Sequence, residues 1–335
     1  MQLSDFGENT NKKLLAVTAG GRICYTDRKE KESEAVRIIN FGSLNIDKVY
    51  RVEQFVRPGQ TITAKDYAVA AGGKGLNQSL AAARAGAEVL HAGAIGAEGR
   101  FMADLLRESG ADTSLLREVD GPSGHAVIEI NAAGQNRIIV FGGANRRETR
   151  EYIERVLDTA QPDDWVLLQN EVNLVPEIIC RAHEKGLRVV FNPSPMPENL
   201  DALPLACVSL FMVNEIEAAQ LAGTDANADF EDTLTALRAK YPNASVVMTV
   251  GADGVLYDGE EGRFQLPAFK VKVVDTTAAG DTFCGYFLAA VSAGKSVQTA
   301  LQEASAASAL AVSRTGAAPS VPTADEVREF LRRHA

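Results

Sequence analysis

The sequence has few of the features that mark secreted, membrane or nucleic-acid-binding proteins. Its 335 residues include only four cysteines, and these form no CxxC pair. Such scattered cysteines argue against a disulfide framework or a structural zinc site and fit a reducing compartment. No apolar run approaches the roughly 20 residues that span a bilayer, and residues 1–13 show no signal-peptide pattern. We therefore expect a cytoplasmic protein with no membrane partner.

Positive charge is also scarce. The 34 lysines and arginines are outnumbered by 44 aspartates and glutamates, which gives a net charge of −10. Because a nucleic-acid backbone requires a basic face, nucleic acid is not an expected partner, although backbone N–H groups can still bind a small anion. With 46% hydrophobic and 23% charged residues, the chain has the composition of a globular protein with a large core.

Two familiar nucleotide-binding motifs are missing. Residues 72–78 read GGKGLNQ, in which glycine follows Lys74 where a P-loop requires serine or threonine. No GxGxxG follows a predicted strand, so a Rossmann dinucleotide site has little support. The glycines nevertheless precede a predicted alanine-rich helix, so backbone there can approach a ligand, and Lys74 and Asn77 would add donors at the same place.

Residues 274–283, VDTTAAGDTF, follow the β-branched run 271–274 and lead into an apolar segment. The sequence therefore predicts a strand, a turn of small residues and the start of a helix. Backbone N–H groups in such a turn can approach a ligand closely, and unpaired N–H groups at a helix N-terminus bind anions. The small residues concerned are Ala278, Ala279 and Gly280.

Asp281 directly follows this predicted anion site. A carboxylate there would repel a phosphate unless it had a task of its own, such as accepting a proton from an attacking hydroxyl. Alternatively, Asp281 is the N-cap of the helix, a common role for aspartate before an apolar helix. The segment alone does not decide between these two interpretations.

The start of the chain differs from the rest. Residues 1–35 mix polar residues and end in a charge run, which predicts a flexible extension, and the main domain is expected over residues 36–335. After a first predicted strand at 36–42, Asn45 and Asp47 lie two apart and point to one side of an extended segment. They either bind a polyhydroxyl ligand or belong to an ordinary turn.

The remaining pattern predicts an α/β fold. Strand-like runs at 61–69, 125–131 and 137–141 predict a small separate sheet, such as a lid over a site. From residue 148 onward, helical and strand-like segments alternate, which predicts a mostly parallel sheet with helices on both faces and a ligand at the carboxyl ends of its strands. Polar residues follow the predicted strands at that edge, namely Asn170, Glu171, Asn192, residues 214–217 and residues 249–254.

Near the C-terminus, a predicted helix at 296–312 is followed by the small-residue loop 314–320. This loop either covers the phosphate site, binds a cation through its carbonyl groups, or simply ends the helix.

Taken together, the motifs at 72–78 and 275–283 resemble the two signatures of the ribokinase (pfkB-type) family of carbohydrate kinases, in the right order and at about the right separation. The resemblance extends over residues 36–333 and includes the segments at 42–47, 142–145, 214–217 and 316–320. It implies a three-layer αβα fold with a mostly parallel central sheet and a small β-sheet lid. Lids of this kind pair two subunits, so a homodimer is expected.

The resemblance implies ATP-dependent phosphorylation of the 5-hydroxyl of D-ribose, with Asp281 as the general base and the turn 278–280 as the anion hole. Deoxyribose, fructose, another pentose or a nucleoside is the alternative acceptor, and a sugar-binding regulator without catalysis is the alternative class. By matching position, the residues that would bind the sugar are Asn45, Asp47, Gly73, Lys74, Asn77, Glu171 and Asp281.

The resemblance also assigns sites for ATP, Mg²⁺ and K⁺. The residues that match the nucleotide site are Asn214, Thr249, Val250, Gly251, Ala252, Asp253, Gly254, Gly280 and Ser305. Glu217 would help to place Mg²⁺ through water. Potassium would lie beside the anion hole, held mostly by backbone carbonyls at Asp275, Thr277, Ala311, Arg314, Gly316 and Ser320.

Overall fold

The computed structural model describes residues 36–334 and, before them, only two short strands, β1 (Ala16–Val17) and β2 (Ile23–Cys24), which pair antiparallel. The chain divides into two compact units, Met1–Ala35 and Val36–Ala335. The predicted flexibility of residues 1–35 therefore concerns a segment that lies mostly outside the described residues.

A nine-stranded sheet forms the centre of the second unit. Seven neighbouring strands are parallel, and a hairpin of two antiparallel strands extends one edge. In spatial order the strands are β15 (Gly262–Leu266), β14 (Val255–Gly259), β13 (Ser245–Thr249), β12 (Leu210–Asn214), β11 (Arg188–Asn192), β10 (Trp165–Gln169), β3 (Ile38–Phe41), β6 (Val89–Ile95) and β7 (Leu116–Glu118).

Helices cover both faces of this sheet, because successive strand side chains point to opposite sides. Ile38 and Leu167 pack into one core, and their neighbours Ile39 and Leu168 pack into the other. The first core includes α1 (Lys74–Arg84), α2 (Arg100–Glu108), α7 (Ala279–Ser292), α8 (Val297–Val312) and α9 (Ala324–His334). The second includes α3 (Arg150–Leu157), α4 (Val175–Glu184), α5 (Glu215–Ala222) and α6 (Phe230–Lys240). The predicted three-layer αβα fold is confirmed.

A separate four-stranded sheet has the order β5 (Asp66–Gly72), β4 (Asn45–Arg51), β8 (Gly124–Ile130) and β9 (Asn136–Phe141). The sequence predicted this small sheet but placed one strand at 61–69. That strand, β5, instead begins at Asp66, opposite Arg51 at the end of its antiparallel partner β4, and the Lys65 N–H makes one further hydrogen bond to the carbonyl of Arg51 at 2.7 Å. At its other end β5 continues to Gly72 and leads directly into α1.

The predicted strand at 271–274 is wrong. Residues 271–274 are not part of either sheet, and the Val274 N–H donates to the carbonyl of Val312 at 2.8 Å instead. Val273 and Val274 remain 60% and 54% exposed. β-branched residues form a strand only where a neighbouring strand offers its edge, and this segment crosses away from the sheet toward α7.

Sequence patterns also missed the strands β6 and β7 and the hairpin β14–β15. Among the residues that the structure describes, no helix is long and apolar enough to cross a membrane.

Candidate active site

The parallel strands end at one edge of the sheet, and an open cleft of about 240 Å³ lies there. Asn192, Asn214 and Thr249 line it at the ends of their strands, as the sequence predicted for polar residues at this edge. The other predicted site residues in its wall are Lys74, Glu217, Ala278, Ala279, Gly280 and Asp281. The cleft therefore brings together residues from both sequence motifs.

The turn before α7 is built to expose backbone N–H groups. Ala278 has left-handed backbone angles (φ 59°, ψ 14°) and caps the helix without a side-chain hydrogen bond. The first N–H groups of any helix have no partner within it. A Cβ atom built on Gly280 would meet no atom within 4 Å, so the space in front of the turn is open. The turn can accept an anion there.

Asp281 is the third residue of α7 and is buried, and its side chain does not cap the helix. Its carboxylate accepts hydrogen bonds from Asn77 Nδ2 (3.0 Å, to Oδ2) and from Gln78 Nε2 (2.9 Å, to Oδ1). The N-cap interpretation of Asp281 is therefore wrong. Two amides from α1 hold the carboxylate at the cleft wall.

Glu171 contacts Lys74 of the cleft wall but does not itself line the cleft. Glu171 Oε2 accepts from the backbone N–H of Lys74 at 3.0 Å and from the hydroxyl of Ser43. Burial raises the pKa of Glu171, although these hydrogen bonds act in the opposite direction. Burial alone would lower the pKa of Lys74, but nearby carboxylates, with Asp281 and Glu171 the strongest, hold it above its usual value. Lys74 therefore stays charged between acidic groups.

Asn45 and Asp47 lie at the start of β4, next to the glycines that lead into α1. The Asn45 Oδ1 accepts from Asn145 Nδ2 at 2.8 Å, which fixes the Asn45 amide. Burial, together with the charge of Glu171, raises the pKa of Asp47 to about 6. A side chain at Gly72 would collide with the Asp47 carboxylate, so glycine is required for this approach.

On the nucleotide side, Asn214 and Glu217 form a capping box at the start of α5. The Asn214 side chain accepts from the Glu217 N–H at 2.8 Å, and Glu217 Oε2 accepts from the Asn214 N–H at 3.0 Å. Six of the predicted nucleotide residues do not line the cleft, namely Val250, Gly251, Ala252, Asp253, Gly254 and Ser305.

The predicted potassium residues are partly brought together. Asp275 Oδ1 accepts from the N–H and hydroxyl of Thr277 (2.9 and 2.6 Å), and Asp275 Oδ2 accepts from the N–H of Gly316 at 2.9 Å. Burial acts to raise the pKa of Asp275, but these hydrogen bonds outweigh it and the pKa is lowered. Of the other predicted residues, Ala311 accepts from the Arg314 N–H through its carbonyl, and the Ser320 hydroxyl donates to Ala317 O.

Sequence reasoning missed three residues that hold the site together. Ser43 orients Glu171, Asn145 orients Asn45, and Gln78 contacts both Asp281 and the predicted Asn192. Gln78 stands directly beside Asn77 in the first motif, and this adjacency was the only signal for it.

A three-layer fold with a cleft at the strand ends, and a carboxylate beside an anion-binding turn, defines a small-molecule kinase of the α/β class. The chain belongs to the pfkB family of carbohydrate kinases, whose family model matches residues 36–324. It is therefore an enzyme that transfers a phosphoryl group to an alcohol.

Similar proteins agree with this family. The chain is 35% identical to a ribokinase of Haemophilus influenzae over 300 residues, which cover 87% of this chain and 96% of the relative. It resembles the structure of a ribokinase from Cryptococcus neoformans var. grubii in complex with ADP, with a TM-score of 0.77, 36% identity and coverage of 88% and 99%. For the ribokinase of Arabidopsis thaliana complexed with ribose and ATP, the TM-score is 0.78 and the identity 30%, with coverage of 89% and 99%.

Proposed function

We propose that this enzyme transfers the γ-phosphoryl group of ATP to the 5-hydroxyl of D-ribose. The observation that carries the proposal is the Asp281 carboxylate, held at the cleft wall within three residues of an open anion-binding turn. The ribose and ATP complex of the similar Arabidopsis enzyme supports the choice of both substrates.

In this mechanism the sugar lies between Asp281 and the polar group around Lys74. Asn45, Asp47, Gly73, Lys74, Asn77 and Glu171 bind its hydroxyls. Asn77 Oδ1 is buried without a protein partner in the described part of the chain, which suits it to accept a hydroxyl hydrogen.

Asp281 orients the attacking hydroxyl and accepts its proton as the new O–P bond forms. Because phosphoryl transfer has a loose transition state, the enzyme contributes mainly alignment and charge stabilisation. The N–H groups of Ala278 and Gly280 would face the transferred phosphoryl group, and the Ala279 N–H, which donates to the carbonyl of Thr276 at 3.2 Å, would join them only by giving up that bond. Lys74, which stays charged, adds a positive group on the same wall.

For Mg²⁺, the donor set fits only a loosely held ion. No cluster of three or more metal-ligating side chains occurs among the described residues. Glu217 lines the cleft, with Oε2 used in the capping box, so the ion would be held mainly by ATP oxygens and water. When bound, Mg²⁺ would neutralise phosphate charge.

For K⁺, the Asp275 carboxylate, the Thr277 hydroxyl and the loop 314–320 supply oxygen donors that match a monovalent ion. Activity should therefore fall when K⁺ is exchanged for a bulky organic cation.

The decisive experiment is ADP release by the purified enzyme with ATP, Mg²⁺ and K⁺ in the presence of D-ribose. We expect ribose-dependent ADP formation and a product phosphorylated at O5. A panel with deoxyribose, fructose, other pentoses and nucleosides tests the choice of sugar, and no release with any of them would leave only the sugar-binding alternative.

We further propose that the enzyme is a homodimer paired through the small sheet. Its edge strand β9 exposes Ile138, Ile139, Val140 and Phe141, and Tyr67 and Val69 on β5 are also half-exposed. An uncovered apolar edge strand is normally protected by a partner.

A cytoplasmic location is proposed as well, and cell fractionation tests it.

A further inference from the structure

The side-chain amide of Gln78, next to Asp281, makes four hydrogen-bond contacts within the protein. Gln78 lies on α1, is 1% exposed, and is not among the residues that would bind sugar. Its Nε2 donates to Asp281 Oδ1 at 2.9 Å and to Asn192 Oδ1 at 3.1 Å. Its Oε1 accepts from Gln169 Nε2 at 2.6 Å and from the thiol of Cys284 at 3.6 Å. All four contacts are to protein.

These contacts allow only one orientation of the amide. The Asn192 Nδ2 donates to the carbonyl of Met212 at 2.8 Å, so Asn192 presents its oxygen to Gln78. A reversed Gln78 amide would place its oxygen against the oxygens of Asn192 and Asp281. The NH₂ group is therefore fixed toward the carboxylate.

A chain of buried polar side chains supports this orientation from behind. Gln169 Nε2 also donates to Asn40 Oδ1 at 3.1 Å, and Asn40 Nδ2 donates to Ser79 Oγ at 2.8 Å. Ser79 contacts His91 Nδ1 at 2.8 Å, and His91 Nε2 contacts the carbonyl of Gly42 at 3.2 Å. Burial lowers the pKa of His91 to about 4, so the ring is neutral at pH 7 and its one N–H donates to Gly42.

Close packing of α1 against α7 brings the amides to the carboxylate. A Cβ atom on Gly285 of α7 would lie 2.5 Å from Ala81 Cβ and 2.7 Å from the carbonyl oxygen of Gln78. The two helices therefore meet almost backbone to backbone, within reach of a glutamine side chain.

The two amides on Asp281 differ in what else they can do. Asn77 has an unpartnered Oδ1 and belongs to the sugar side, whereas every polar atom of Gln78 is already used within the protein. Gln78 thus has no atom left for a ligand. We propose that Gln78 is a positioning residue, which fixes the plane of the Asp281 carboxylate so that its free lone pairs face the attacking hydroxyl. This rests on the proposed role of Asp281 as the base.

The test compares Gln78→Met with the parent enzyme. Methionine fills a similar volume but donates no hydrogen bond, so the carboxylate loses its fixed plane. We expect kcat to fall about 10- to 100-fold, while the KM values for ribose and ATP stay within about 3-fold. Equal changes in kcat and both KM values would overturn the inference.

Tyr286→Phe is the matched control. It removes a buried hydrogen bond, from the Tyr286 hydroxyl to the carbonyl of Pro322 at 2.8 Å, on the same helix as Asp281 but outside the chain of side chains behind Gln78. We expect a lower melting temperature with kcat close to that of the parent. If Tyr286→Phe lowered kcat as much as Gln78→Met, the effect would come from general loss of structure, and the positioning role would be refuted.

A double mutant identifies the residue through which Gln78 acts. In an Asp281→Asn background, Gln78→Met should lower kcat little further, because the group it positions is gone. Fully additive losses would contradict the inference. If Gln78→Met does not fold, Gln78→Leu, which is shorter and also donates no hydrogen bond, serves in its place. A parent enzyme without sugar-dependent ADP release would refute the proposed function, whereas an active parent with unaffected Gln78 variants would refute only this inference.

Discussion

At the scale of single residues, the site depends on partners that the sequence does not place together. Asn77 and Asp281 hydrogen-bond although 204 residues separate them. The small-residue turn and the isolated Asp281 were visible in the sequence because both depend on local pattern. That Asp281 is held by amides and does not cap its helix could not be predicted, since the choice depends on where α1 packs.

The first prediction concerns the base itself. Asp281→Asn keeps the size of the side chain but cannot accept the proton, so kcat should fall by about 10²-fold or more. Sugar binding should be partly retained, because the other sugar-binding groups remain. Steady-state kinetics and equilibrium binding of ribose check both parts, and turnover near the parent value would exclude Asp281 as the base.

A second prediction uses the raised pKa of Asp47. Burial holds this carboxyl at a pKa of about 6 in the folded protein, above its ordinary value of 3.8, so its ionisation opposes folding. The contribution of this carboxyl to the free energy of unfolding is fully present below pH 3.8 and is lost as the pH rises through 6. Asp47→Asn should therefore stabilise the ligand-free enzyme at pH 8, by about 1–3 kcal/mol.

Chemical denaturation at two pH values measures this effect. At pH 8 the variant should be more stable than the parent, and near pH 4 the two should converge because Asp47 is then protonated in the folded parent. The same variant should bind ribose more weakly. A stability difference independent of pH would mean that the buried charge is not its cause.

At the scale of elements, the sequence predicted the helices and strands that follow the regular α/β alternation. It was wrong about strands whose position depends on pairing with another strand. The helices and strands from residue 148 to β13 were predicted correctly, because each of these strands is buried on two faces and each helix on one. The run 271–274 has high strand propensity but pairs with no strand, and its Val274 N–H bonds to Val312 at the end of α8. The start of β5 likewise depends on its partner, since the register places Asp66 opposite the last residue of β4.

The contact between α1 and α7 gives the third prediction. Gly285→Ala would force the helices apart, because the added methyl group collides with Ala81 and with backbone of α1. Overpacking of this kind costs about 1–3 kcal/mol of stability. Because the amides of Asn77 and Gln78 then retreat from Asp281, kcat should fall as well.

Thermal unfolding and kinetics of Gly285→Ala measure the two effects. Ser292→Ala at the end of the same helix is the control, since alanine favours the helix and the substitution lies in the last turn of α7. It should melt near the parent and retain kcat. An unchanged kcat in a clearly destabilised Gly285→Ala would show that helix spacing does not control the base.

At the scale of the whole molecule, two short motifs indicated the family. The alternation of helical and strand-like segments between them indicated the layered architecture. The homodimer was expected from the family resemblance alone, because an exposed apolar strand is recognisable only once its neighbours are known. In β9, Ile139 is 72% exposed and Val140 is 60% exposed. The sequence pattern predicted this strand only as one arm of a hairpin.

The fourth prediction tests the proposed dimer. Ile139→Asp places a charge on the exposed strand, so a dimer held there should dissociate. Light scattering coupled to size-exclusion chromatography should give a mass near twice 35.8 kDa for the parent and near 35.8 kDa for the variant. Val273→Asp, at a similarly exposed apolar position outside the small sheet, should remain dimeric. A parent that elutes as a monomer would refute the proposal.

The meeting of α1 and α7 also affects how the enzyme can be made. A nascent chain that has left the ribosome only as far as α6 contains the sugar-side residues and most of the parallel strands, yet it lacks the helix that covers α1. Ala81 and Ala82 of α1, which are fully buried in the finished protein and face Gly285 of α7, then have no α7 to pack against. The growing chain therefore exposes an apolar surface for as long as the intervening residues take to emerge, and aggregation competes with folding during this interval.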